Sequence, residues 1–407
     1  MTKEASQPII AAMKSPHSLI ENWRKLLAQE AFRPATGLRG GHLQTLSGHF
    51  LPNGSLHLPT PEPIELPVPR RAEIASSPRE ASDTLVGEIY GQHLASRQGV
   101  LHIFHGLAGC TESTYMPRAA AAALGEGWVA VLWNHRGCGA GRKKSQEPYH
   151  SGRSDDLARA IGWSRQRFPH LSTHALLGYS LSANATCLTA AGIVPSNVKS
   201  STAELSPSDV QKSWEVAGLD EQNLPDAAIA FNPPTDLSRA ARRLSAEASR
   251  VYGQRFMLPL IECLEDRREL GDALAEQALV TLRPWSTVAE FDALYTGPAG
   301  GFGSASQYYE RASSRHAFGR LQRPLLLITA EDDPITAGLR DLSSREQERL
   351  QADRHLAVVS HASGGHMGFV DAPTLGTPVT GTLRWMDRML ALALREIVRT
   401  HPRPTAN

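Results

Sequence analysis

A serine hydroxyl becomes a nucleophile near neutral pH only when an imidazole takes its proton and a carboxylate orients that imidazole. Gly178-Tyr179-Ser180-Leu181-Ser182 offers such a serine, at the end of the apolar run Ala175-Leu176-Leu177 and before a second apolar run over 183–191. Strand, sharp turn and helix in that order expose Oγ at a fixed point. Small residues two before and two after the serine let the chain turn and the helix pack close. The last position of this elbow is Ser182, where glycine would complete the motif. A G-x-S triplet alone means little in a chain with 33 glycines, so the partners decide the reading. PLLLITA is followed by Glu331-Asp332-Asp333-Pro334, and LAVVS by His361-Ala362-Ser363-Gly364-Gly365-His366. Ser, Asp and His thus appear in the order an elbow serine requires, each just past a strand-like run. Asp333 is preferred as the acid because it stands three residues past Ala330 and directly before Pro334, with Asp332 as the alternative. His366 is preferred over His361 because Gly364 and Gly365 free the loop to swing the ring over the serine. His361, nearer the strand, reads as structural.

Attack on a carbonyl puts negative charge on its oxygen, and two backbone N–H groups aimed at that oxygen supply several kcal/mol of stabilisation. One is expected from Leu181, immediately after the nucleophile at a helix N-terminus. The other is expected from Leu107 in His105-Gly106-Leu107-Ala108-Gly109, the loop after the strand-like VLHIF.

Rival chemistries find less support. Gly137-Cys138-Gly139-Ala140-Gly141 follows a strand, but it reads GxGxG before Arg142, Lys143 and Lys144, which is not a dinucleotide loop opening a helix. No phosphate-loop spacing is present. His102, His105 and His135 lack the i, i+4 spacing of a helical zinc site. Neither a metal nor an organic cofactor is expected. Cys138 reads as a buried structural thiol, and Tyr308 and Tyr309 as pocket lining or core.

These residues need a frame, and the pattern supplies one. Strand-like runs over 84–90, 100–104, 128–133, 173–177, 227–232, 324–329 and 356–360 alternate with helical stretches over 119–124, 155–167, 183–191 and 382–398. Such alternation predicts a mostly parallel sheet covered on both faces, with the site at strand C-terminal ends. Residues 18–30 read as a helix, 32–58 as loop, and 59–69 as at most an edge strand because of its prolines. Between 195 and 225 the composition turns to Ser, Asp, Glu, Lys and Gln, which reads as a solvated insertion, part helical and part disordered, without a catalytic role. Residues 237–314 are helical and aromatic without strand runs, as a cap over the site would be.

Composition sets the outer bounds. Lys plus Arg number 42 against 41 for Asp plus Glu, which leaves no field for a polyanion and argues against nucleic acid. Cys110, Cys138, Cys187 and Cys263 form no CxxC pair and fit a reducing compartment. The first thirty residues carry charges at Lys3, Glu4, Lys14, Glu21, Arg24 and Lys25 and no apolar signal segment. No run of about 18 apolar residues occurs, so a spanning helix is not expected, while peripheral membrane contact stays open. The expected setting is cytoplasmic.

The chain resembles the YheT-like group of α/β-hydrolases, relatives of membrane-associated esterases, phospholipases and alcohol acyltransferases. The resemblance is carried by HLQTL at 42–46, HGLAG at 105–109, NHRGCG at 134–139, YHSG at 149–152, GYSLSAN at 178–184, EFDALYT at 290–296, SQYYERAS at 306–313, AEDDP at 330–334 and GGHMGF at 364–369. It implies Ser180, Asp333 and His366 as triad, Leu107 and Leu181 as oxyanion donors, and esters of short to medium or lipid-like acyl chains as substrates. It also marks two departures, Ser182 in place of the usual glycine and the polar stretch. The expected organisation is an N-terminal extension at 1–80, hydrolase core at 81–194, the polar insertion at 195–226, a core strand at 227–236, the cap at 237–321 and core again at 322–407. The expected function is a serine esterase of the α/β-hydrolase fold. Acyl transfer to an alcohol and a non-catalytic scaffold are the alternatives, and the sequence leaves the oligomeric state open.

Overall fold

The structure is a computed structural model that describes residues 16–53, 56–71, 82–94, 97–198, 205–336, 338–371 and 384–400. It places β1 (Glu62–Pro69), β2 (Ser82–Tyr90), β3 (Val100–Phe104), β4 (Val129–Asn134), β5 (His174–Tyr179), β6 (Ala227–Phe231), β7 (Leu325–Ala330) and β8 (Leu356–His361) in one sheet of order β1-β2-β4-β3-β5-β6-β7-β8. β1 and β2 run antiparallel to their neighbours, and the strands from β4 to β8 are mutually parallel. β1, rich in proline, lies at the edge, where missing N–H donors cost least.

Strands β3 to β7 are buried along their whole length because helices cover both faces. Alternation sorts their side chains. Leu101, Ile103, Ala130, Leu132, Ala175 and Leu177 meet α1 (Pro16–Gln29), α2 (Gly41–Phe50) being set apart, together with α3 (Tyr115–Gly125) and the C-terminal helix Trp385–Thr400. Val100, Phe104, Val129, Val131 and Leu176 meet α4 (Ser154–Arg167) and Ala185 of α5 (Leu181–Ala190). β3 passes to β4 on one side while β5 passes to β6 on the other. The loops after β3 and β5 therefore diverge, and the crevice between them is a topological switch point.

Two expectations need correction. The stretch 32–58, expected as loop, contains α2. Its buried residues are Gly41, Gln44, Thr45 and Gly48, while Leu43, Leu46 and Phe50 face outward, so an apolar-stripe criterion passes over it. The stretch 195–226, expected as a solvated insertion that is part helical, does contain a helix, α6 (Pro207–Val216), but this helix is seated on the core through Val210 and Trp214. A capping box of Ser206 and Asp209 starts this helix, Val210 joins the Leu205 and Ile193 cluster, and Trp214 packs with Leu219, Leu224 and Val194. A few well-spaced apolar residues suffice for docking in a stretch whose average is polar. Residues 199–204 and 382–383, parts of the expected insertion and last helix, lie outside the described residues, as do 1–15 of the expected N-terminal extension.

Between β6 and β7 run α7 (Leu237–Ser245), α8 (Arg250–Glu269), α9 (Ala273–Thr281), α10 (Val288–Phe291), a π-helical turn at Asp292–Thr296, α11 (Gly297–Ala299) and α12 (Ala305–Ala312). Their apolar residues Leu244, Met257, Leu264, Val288 and Phe291 form one cluster with Leu181 and Ile335 at the strand ends. α13 (Ser344–Ala352) links β7 to β8, and α14 is the helix Trp385–Thr400. No helix among the described residues is long and apolar enough to cross a membrane.

Candidate active site

At the end of β5 the chain turns so abruptly that Ser180 adopts φ 52 and ψ −113, a conformation that side-chain-bearing residues rarely occupy. Leu181 already begins α5, so the hydroxyl sits between strand end and helix N-terminus. Room for the turn comes from Gly178, where a Cβ would lie 2.3 Å from Ser182 O and from Thr186 Oγ1. Ser180 N–H donates to Phe231 O at 2.9 Å, tying the bend to β6.

The loop after β8 delivers His366, whose Nε2 is 2.9 Å from Ser180 Oγ. Its Nδ1 is 2.8 Å from Asp333 Oδ2, on the loop after β7. Asp333 is buried and also accepts from Ile335 N–H (2.7 Å), Thr336 N–H (2.9 Å), Thr336 Oγ1 (2.7 Å) and Asn232 Nδ2 (2.9 Å). Burial alone would disfavour its charge, but His366 and the Thr336 donors outweigh burial and hold the carboxyl below its ordinary value. An ionised carboxylate only accepts, so His366 Nδ1 carries the proton and Nε2 is left to accept from Ser180.

Asp332 plays a different part. Its Oδ1 accepts Gly365 N–H at 2.9 Å, so it braces the loop before His366 while Asp333 meets the ring. His361 packs among Phe32, Phe369 and Trp385, and burial pushes its pKa down to about 4. Ser164 also has imidazoles in reach, His102 at 2.7 Å and His174 at 2.6 Å, yet it is fully buried between α4 and the sheet and is not among the residues lining the cavity at Ser180.

On the expected oxyanion loop Gly106 N–H donates to Tyr115 OH at 2.9 Å and Ala108 N–H to Tyr149 OH at 3.0 Å. Leu107 lies between them, before Ala108 at φ 57, and Leu107 and Leu181 both line the cavity beside Ser180. Under this loop His135 Nε2 lies 2.6 Å from Ser182 Oγ, which in turn donates to His105 O. The departure at 182 is thus a hydroxyl that ties elbow to loop. Burial keeps both rings neutral, lowering His105 to about 4 and His135 well below its ordinary value.

Several positioning residues escaped the sequence reading. Thr45 Oγ1 accepts His366 N–H at 2.8 Å, and Asn232 binds both Asp333 and Gly365 O (3.2 Å). HLQTL marks the first, although its spacing names no partner, and nothing local marks the second. The cavity at Ser180 is walled by Leu237, Leu244, Phe256, Val288 and Ile335.

Residues 99–373 match the family described as alpha/beta hydrolase fold. The chain belongs to this family. Within it the chain is YheT-like: it is 27% identical over 347 residues to the putative esterase YheT of Escherichia coli, covering 84% of this chain and 88% of that one. It is 25% identical over 284 residues to a monoacylglycerol lipase of Saccharomyces cerevisiae, covering 66% of this chain and 54% of that protein. Among solved structures, the thermostable carboxylesterase EstE1 from a metagenomic library aligns over 98% of this α/β-hydrolase and 100% of its own chain, with TM-score 0.43 and 16% identity.

Proposed function

We propose that Ser180, His366 and Asp333 are the catalytic triad of this carboxylic ester hydrolase, with Leu107 and Leu181 N–H groups as its oxyanion hole. The observation that carries the reading is the 2.9 Å approach of His366 Nε2 to Ser180 Oγ on a ring whose other nitrogen meets a buried carboxylate at 2.8 Å. In this mechanism His366 takes the Ser180 proton as Oγ attacks the ester carbonyl, and the imidazolium is stabilised by Asp333. Each oxyanion donor contributes about 3 kcal/mol at the transition state. His366 then protonates the leaving alcohol, and water repeats the sequence to release the acid. The residues 237–321 act as the cap, and their apolar wall suits a short to medium or lipid-like acyl chain. Four unpaired cysteines support cytoplasmic residence.

A fluorophosphonate probe tests the triad. Wild type should be labelled once, on Ser180, and Ser180→Ala should not be labelled. A folded wild type that resists the probe would favour a non-catalytic scaffold instead.

A further inference from the structure

Three successive amides of the loop after β3 are treated differently. Gly106 N–H donates to Tyr115 OH at 2.9 Å and Ala108 N–H to Tyr149 OH at 3.0 Å, whereas Leu107 N–H between them has no hydrogen-bond partner among the described residues. Amides removed from water are nearly always paired, so an open one held between two satisfied ones is where an incoming acceptor fits.

The peptide plane fixes the direction of that amide. His105 Nε2 accepts His135 N–H at 3.1 Å, so the ring proton sits on Nδ1 and is donated to Gly106 O at 2.7 Å, and Gly109 N–H reaches the same oxygen at 3.1 Å. A trans peptide sets its N–H opposite its C=O, and Leu107 N–H therefore points away from the His105 ring. The loop lies against the nucleophile, since a Cβ at Gly106 would come 3.2 Å from Ser180 Cβ.

Both tyrosines are anchored to the elbow. Tyr115, the first residue of α3, has its ring 4.7 Å from that of Tyr179, the residue before the nucleophile. Tyr149 stacks on His135 at 5.4 Å, and His135 meets Ser182, two residues after the nucleophile. Each hydroxyl thus registers the loop on the elbow from its own side.

We propose that Tyr115 and Tyr149 are positioning residues of the oxyanion hole: by taking the amide hydrogens on either side of Leu107 they keep the Gly106–Leu107 peptide from turning over, and so hold its N–H on the oxygen that becomes negative as Ser180 attacks. This rests on the triad and oxyanion reading above and adds the groups that make the hole rigid before substrate arrives. Phenylalanine at either position keeps the ring packing and releases the peptide on that side. The loss then falls on the transition state, where the oxyanion forms, and not on the ground state.

The test uses Tyr115→Phe and Tyr149→Phe, with rates on p-nitrophenyl octanoate divided by the fraction of protein that a fluorophosphonate labels at end point, so that unfolded protein does not count. Two inhibitors are compared. The carbonyl carbon of an octyl trifluoromethyl ketone takes Ser180 Oγ to form a hemiketal oxyanion, the hydroxyl proton passing to His366, whereas the methyl ketone of the same chain stays trigonal. Each variant should lower kcat by roughly tenfold, less than removal of an oxyanion donor itself, and should weaken the trifluoromethyl ketone by the same factor. KM and the affinity of the methyl ketone should move by less than about twofold. Should one variant yield no folded protein, the other decides. Unchanged kcat in a folded variant, a rise in KM alone, or a fall in kcat that the trifluoromethyl ketone does not follow overturns the positioning role while leaving the ester hydrolase standing. A wild type that neither hydrolyses the ester nor takes the label fells both readings.

Discussion

The Asp332-Asp333 pair separates two jobs that one residue type can do. Asp333, enclosed by five hydrogen-bond donors including His366, fixes the ring tautomer, whereas Asp332 holds Gly365 N–H. Asp333→Asn should therefore lower kcat by about 10⁴-fold by presenting the wrong tautomer. Asp332→Asn should cost about tenfold or less, because it loosens a loop and leaves the ring contact. Steady-state rates on one p-nitrophenyl ester decide this, and equal losses would erase the distinction. The sequence preferred Asp333 over Asp332 on its place after the strand and before Pro334, but the contacts with Asn232 and Thr336 that set the two apart form only in the folded chain.

At the scale of elements, α2 carries the clearest consequence. Its Gly41 approaches the β7 loop so closely that a Cβ would lie 1.7 Å from Asp332 O, and one turn later Thr45 holds His366 N–H. Thr45→Val keeps the shape and removes one charge-free hydrogen bond, about 1 kcal/mol. The expected result is a kcat lowered by about five- to tenfold with thermal stability shifted by only a few degrees. Loss of stability without loss of kcat would make α2 a packing element only. The parallel strands and their helices were legible because both faces of the sheet demand near-continuous apolar runs. The loop reading of α2 failed for the converse reason: its inward face is glycine, Gln44 and Thr45, chosen for close approach and hydrogen bonding. The same holds for Ser182, which reads as a flaw in the elbow yet bridges His135 and His105. Ser182→Gly should destabilise the protein by about 1–3 kcal/mol through the buried groups it leaves unpaired, measurable by urea denaturation.

Over the whole molecule, burial is used to hold imidazoles neutral. His105, His174 and His361 are each lowered to about 4, in every case chiefly by burial. An unfolded chain takes up these protons as pH falls through about 6.5. The folded chain does not until near 4, so stability should decline between those values, and Asp333, held below its ordinary value, adds a further loss beneath the carboxylate range. Urea midpoints at pH 7.5, 6 and 4.5 should fall in that order, and a flat series would contradict these pKa directions. The loop NHRGCG is clamped from three directions, Arg136 meeting Asp156 (2.6 Å), Asp83 (2.8 Å) and Glu147 (3.2 Å) with every partner buried. Arg136→Leu strands Asp156, while Asp83 keeps Arg70 and Glu147 keeps Arg71 and Arg153, and should cost about 3–5 kcal/mol. In the proposed mechanism this framework serves one event, transfer of an acyl group to Ser180. Rapid acid quench of the protein with p-nitrophenyl octanoate, followed by peptide mass analysis, tests that event directly. An octanoyl increment on the Ser180 peptide, absent in Ser180→Ala, is the expected result. Hydrolysis that continues in Ser180→Ala, or an acyl group found on another residue, would contradict it.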